Sequence, residues 1–185
     1  MITLFKIKKT SQKGFTLIEL LTSIAVVIIL TGIVFANYRS GERQYALQRS
    51  AHKLAQDIRR IQEMATSTRE FACGGSPIIP PGGYGVFFPS LSSAKNYYIL
   101  FADCNGDFDY DSPGEMVGKQ DLEKGITLSA YMPSVNQEAW VVFTPPDPTT
   151  AFNKQSNTTL TINLTSGNPP NKAVFMNIAG LIEVP

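Results

Sequence analysis

The amino-acid sequence predicts an α+β protein: one long amino-terminal α-helix, its first half membrane-spanning, packed on an antiparallel β-sheet or small sandwich. Three observations carry that expectation. Residues 15–36 form an apolar run interrupted by a single charge, Glu19. Leu47, Ala51, Leu54, Ala55, Ile58, Ile61 and Ala65 then follow the three-and-four spacing of a helix face turned to a core. After Arg69 the texture changes to short aromatic and β-branched segments punctuated by Gly and Pro clusters.

Composition bounds the rest. The 185 residues leave room for one compact domain and an appendage, and 43% hydrophobic residues with a net charge of +1 exclude a mainly disordered chain. Two cysteines do not make a disulfide-dense scaffold, and one histidine argues against zinc hydrolases and His-based catalysis. The near-neutral total is a cancellation. Residues 1–14 carry +4, 15–36 carry −1, 37–70 carry +3, and the remainder carries −5.

Taken in order, the apolar run would make a helix of about 33 Å, enough for a hydrocarbon core of about 30 Å. Lysines at 6, 8, 9 and 13 predict that the amino-terminal side stays cytoplasmic and the rest is exported. A cleaved secretory signal ending at Val34-Phe35-Ala36 is the alternative. Its apolar core would be too long, and it would contain Glu19. No proline precedes Pro77, so the helix is expected to run from Phe15 to about Thr68, roughly 80 Å. Arg39-Ser40-Gly41 is the expected bend, with Gly32 a second flexible point. His52, with no cysteine or second histidine nearby, reads as a surface residue. Strands are expected at 84–88, 97–102, 126–131, 140–144, 158–164, 173–178 and 181–184. Consecutive strands without intervening helices imply antiparallel pairing.

Gly14-Phe15-Thr16-Leu17-Ile18-Glu19-Leu20-Leu21, behind its basic residues, resembles the prepilin signature of type IV pilins and type II secretion pseudopilins. The resemblance implies cleavage between Gly14 and Phe15 by a prepilin peptidase and methylation of Phe15. It also implies that Glu19 guides docking beside a neighbouring subunit's amino terminus. A buried carboxylate and ammonium offset each other's desolvation only in close contact, so a misaligned subunit would leave both uncompensated. The domains implied are a leader (1–14), a transmembrane and assembly helix (15–36), its amphipathic continuation (37–70) and a pilin-like β-rich domain (71–185). Expected partners are the peptidase, other pilin or pseudopilin subunits, the inner membrane and an assembly platform. The chain would lie in the bacterial inner membrane with its globular domain on the exported side, then enter a filament. Many major pilins carry a kinking proline where this chain has Ala36. The order of the later segments, including Tyr84–Phe88, Asp103–Asp107 and Asn177–Val184, loosely resembles the GspH/FimT group of minor pseudopilins.

Two further features remain open in the sequence. Asp103, Asn105, Asp107, Asp109, Asp111 and Glu115 gather six oxygen-bearing side chains that could converge on calcium, the one cofactor considered. The spacing is not that of an EF-hand, and an Asx-rich turn is the competing reading. Cys73 and Cys104 would either bridge, clamping the helix end to a strand, or stay as two thiols. No P-loop, Gly-x-Ser-x-Gly or His-based motif is present, so no enzyme is expected. Two rival functions stand beside filament assembly: a DNA-binding competence pilin and a single-span cell-surface binding domain. DNA is not an expected partner, because the carboxyl-terminal segment lacks arginine and the domain is negative.

Overall fold

In a computed structural model of the chain, described for residues 14–92, 96–111, 113–132, 134–145, 149–153, 159–167 and 171–185, the fold is α+β. The leader residues 1–13, the start of the expected strand at 158, Lys154 and parts of the Pro145–Pro148 and Gly167–Pro170 turns lie outside the described residues. Helix α1 (Leu17–Thr66) begins two residues after the expected Phe15, because Thr16 caps it. The backbone N–H of Glu19 donates to Thr16 Oγ1 at 3.3 Å, and Leu20 N donates to Thr16 O at 3.1 Å. Its other end is a Schellman turn. Thr68 adopts φ +46°, Thr68 N bonds Ala65 O at 3.1 Å and Arg69 N bonds Met64 O at 3.2 Å.

The chain divides into two compact units, Met1–Gly41 and Glu42–Pro185. In the first, Leu17–Phe35 is long and apolar enough to cross a membrane, and none of it is buried within the protein. In the second, the stripe read from the sequence is buried at every position, with Ala46, Met64 and Ser50 added.

That buried stripe meets two antiparallel sheets. The five-stranded sheet has the order β5-β4-β3-β7-β8, from β3 (Gly83–Phe88), β4 (Tyr97–Asp103), β5 (Met116–Asp121), β7 (Ala139–Thr144) and β8 (Thr149–Phe152). The four-stranded sheet has the order β11-β10-β9-β6, from β6 (Thr127–Met132), β9 (Thr159–Thr165), β10 (Lys172–Asn177) and β11 (Ile182–Glu183). A hairpin of β1 (Phe71–Cys73) and β2 (Ser76–Ile78) stands apart. Strand alternation sends Tyr84, Val86, Phe88, Tyr98, Leu100, Phe143, Leu160, Ile162 and Val174 into one core with the helix. The opposite face of the five-stranded sheet holds a smaller cluster, Phe101, Trp140 and Val142, with Phe87, Tyr110 and Val135 over it. Gly85 makes that face possible, since a Cβ there would stand 2.6 Å from both the Phe101 ring and Val141 O.

Polar ties run from the helix and its end to the sheets and their loops, Lys53 Nζ to Asp121 O at 3.4 Å among them. Tyr98 Oη donates to Asp57 Oδ2 at 2.5 Å, Arg49 grips Glu123 through two bonds of 2.9 and 2.7 Å, Arg59 Nη2 donates to Ile182 O at 3.0 Å, and Tyr84 Oη donates to Arg69 O at 2.8 Å. The expected strands are present within a residue or two. Absent from the sequence reading are β1–β2, β5 and β8. β5, an edge strand, carries Gly118 and the oppositely charged Lys119 and Asp121, and Lys119 Nζ stands 4.0 Å from the Tyr97 ring centroid on the neighbouring strand.

Candidate functional site

The expected site residues fall in two places, one in each unit. The first is the start of α1. Gly14, Phe15 and Thr16 are exposed and non-helical, and nothing lies within 4 Å of where a Gly14 side chain would begin. The bond between Gly14 and Phe15 therefore lies in exposed, non-helical chain immediately ahead of the helix cap. Glu19 occupies the third helical position, and Thr16-x-x-Glu19 is a capping-box pattern. The sequence reading passed over Thr16, although that spacing was legible. The Glu19 carbonyl is doubly engaged, by Thr22 Oγ1 at 3.0 Å and Ser23 Oγ at 2.8 Å. Its carboxylate has no hydrogen bond or ion pair among the described residues, and negative charge in a first turn complements the helix dipole.

The second place is the loop after β4. Asp103 is fully buried, and its two oxygens accept Gly106 N at 2.7 Å and Phe108 N at 2.8 Å. Glu115, 5% exposed, accepts Cys104 N and Asp111 N, both at 3.1 Å. Asn105 Oδ1 accepts Asp107 N at 3.1 Å while its amide donates to Asp111 Oδ2 at 2.8 Å. Asp107 Oδ1 accepts Asp109 N at 2.9 Å, and Asp109 Oδ1 accepts Tyr110 N at 2.8 Å. These are chained Asx turns whose carboxylates complete the loop's own backbone. Calcium needs about 6–8 convergent oxygens. Among the described residues, no three acidic, cysteine or histidine groups are placed to hold a metal ion. In this geometry the loop's side-chain oxygens are directed at its own backbone amides. Gly82 is required beneath them, since a Cβ there would collide with the Asp103 carboxylate. Tyr110 carries the loop's far end onto the outer cluster, its ring centroid 5.4 Å from Phe87 and 5.7 Å from Phe101. Burial, then the nearby Glu115 charge, raises the Tyr110 hydroxyl above the ordinary tyrosine pKa.

Cys73 and Cys104 are bridged, with Cα atoms 5.6 Å apart. The bridge joins the β1–β2 hairpin to the root of this loop, so the first of the two thiol readings holds. His52 is exposed on α1 beside Tyr45, Gln48, Arg49, Lys53 and Gln56, a row of solvated side chains along one helix. Contact with Glu123 raises the Arg49 pKa and lowers that of Glu123.

Comparison with known proteins adds the following. A family model described as the prokaryotic N-terminal methylation motif matches residues 9–35. No curated protein matches the chain at a significant level. Among solved structures, the type IV minor pilin FimU of Pseudomonas aeruginosa (strain PAO1) aligns at 14% identity and a TM-score of 0.49, over 77% of this chain and 90% of that one. A likeness of that size says nothing about function.

Proposed function

We propose that this chain, prepilin-like by its methylation motif, is a minor pilin or pseudopilin subunit. Its activity is assembly, not catalysis. A prepilin peptidase cuts between Gly14 and Phe15, and Phe15 becomes the methylated amino terminus. Leu17–Phe35 holds the subunit in the inner membrane with Glu42–Pro185 on the exported side. From there the apolar helix moves into a filament of other pilin or pseudopilin subunits on an assembly platform, in a type IV pilus or a type II secretion machine. That transfer is tolerable because lipid and a bundle of like helices both cover the same apolar surface. The reading of the peptide as GspH/FimT-like rests on the order of its later segments.

One observation carries the proposal: the motif's Gly14–Phe15 bond coincides with exposed, uncapped chain directly before the Thr16 cap. Two features oppose the DNA-binding rival: the net −5 charge from residue 71 onward and the self-satisfied carboxylates of the acidic loop. Intact mass and amino-terminal sequencing of the protein, produced with and without a prepilin peptidase, test the proposal. The expected mature chain starts at a methylated Phe15. A start at Asn37 would make it a conventional secretory substrate, and an intact Met1 would make it a simple membrane anchor.

A further inference from the structure

The four-stranded sheet turns one face away from the core, and near its β10–β11 end a small group of side chains shares that face. Alternation along β9 buries Leu160 and Ile162 and turns Thr159 and Thr161 outward. Along β10 it buries Val174 and Met176 and turns Phe175 and Asn177 outward. The strand register then sets the neighbours. Phe175 stands between Thr161 and Glu183, and Asn177 stands opposite Thr159. Leu181, where the chain returns after Gly180, is 54% exposed at the end of this group. Strand spacing of about 4.8 Å and an alternate-residue step of about 6.8 Å give a patch roughly 10 Å by 7 Å. Thr159, Phe175, Asn177, Leu181 and Glu183 line a shallow pocket there of about 270 Å³.

We infer that this patch binds a single pyranose ring. Phe175, 40% exposed, offers a flat apolar platform whose natural complement is the C–H face of a sugar. Asn177 Oδ1 accepts Leu181 N at 2.9 Å, which fixes the amide and leaves its two N–H donors for a ligand. The Glu183 carboxylate has no hydrogen bond or ion pair among the described residues, and a carboxylate can accept from two adjacent hydroxyls at once. Thr159 adds a hydroxyl that both donates and accepts. Donors and acceptors around one aromatic face suit a polyol. An anion would be repelled by Glu183, and a pocket this small and open would leave a large apolar ligand mostly in water. A lone aromatic beside several neutral polar groups suits a sugar better than an ammonium, which prefers several rings around it. The inference is independent of the assembly reading, since it uses no residue of the amino-terminal segment.

Saturation-transfer NMR on the full chain, in micelles of a detergent without a sugar headgroup, tests it. The probes are the methyl pyranosides of glucose, galactose, mannose and N-acetylglucosamine. The expected result is transfer to the ring C–H protons of at least one, with a dissociation constant on the order of 1 mM and no dependence on salt. Phe175→Thr and Glu183→Gln should each weaken binding about tenfold or more while leaving the disulfide formed and the melting temperature unchanged. Glu183→Gln, an exposed and nearly isosteric change, keeps the test decisive if Phe175→Thr disturbs folding. Three results would overturn the inference: no transfer to any pyranoside, transfer equal in both variants, or salt-sensitive capture of N-acetyl-lysine methylamide in place of the sugars.

Discussion

Asp103 shows how a single side chain can organise a loop. Its buried carboxylate replaces the solvent that Gly106 N and Phe108 N would otherwise need. Asp103→Asn keeps the shape but offers one acceptor oxygen and points an NH2 group at the other amide. It should therefore cost about 1–3 kcal/mol, read as a lower melting temperature with unchanged secondary structure. Because the loop's oxygens already serve its own amides, millimolar calcium should leave the melting temperature where a chelator leaves it. A calcium-dependent rise would reassign the loop. The tyrosines set the opposite end of the pH range. Burial holds the Tyr98 hydroxyl far above its ordinary 10.0, with the hydrogen bond to Asp57 adding to this. Tyr131 is raised by burial and by the charge of Glu138. A pKa higher in the folded than in the unfolded chain means that the unfolded state loses its proton first. The stability from these groups is complete below pH 10 and is lost above it. The fall should approach about 1.4 kcal/mol per pH unit per tyrosine, and Tyr131→Phe should flatten it by one such share in urea melts at alkaline pH.

Among the elements, the disulfide has the clearest expected cost. Its closed segment, a separation of 31 residues, implies about 3–4 kcal/mol by chain entropy. Reduction, or Cys104→Ser, should lower the melting temperature accordingly and loosen the β1–β2 hairpin more than the core strands. Amide exchange would resolve the difference. Leu54→Ala, at a fully buried stripe position, should cost about 2–5 kcal/mol and act on the whole domain instead. The stripe was legible in the sequence, apart from Ala46, Ser50 and Met64, because helical periodicity extends over many residues. β5 and β8 were not, because Met116–Asp121 and Thr149–Phe152 are short edge strands without a clear apolar alternation, although each pairs with the strand that precedes it. A short strand of that kind is set by the neighbour it packs beside more than by its own composition. The same holds within the sites. Gly14, Phe15 and Glu19 form a contiguous motif, whereas the patch of Phe175, Asn177 and Glu183 exists only once three strands align. The acidic loop was conspicuous in sequence, but composition alone could not say whether its oxygens faced an ion or their own backbone.

For the whole molecule, the two units divide the work. Met1–Gly41 holds the whole match to the N-terminal methylation motif, and Glu42–Pro185 holds the buried core. Glu19→Ala should therefore leave membrane insertion, cleavage and the melting of the globular unit intact, while removing the subunit from filaments. Fractionation of sheared filaments against membranes would show it. The position of Trp140 has a practical consequence for such experiments. It is the single tryptophan, 6% exposed, and it sits on the face of the five-stranded sheet turned away from the helix, in the cluster that Tyr110 covers. Its emission is thus a built-in reporter for the loop side of the domain, while far-ultraviolet dichroism is dominated by α1. The protein carries two optical signals for two separate layers. An unfolding experiment that records both will show whether the loop layer and the helix layer melt as one cooperative unit.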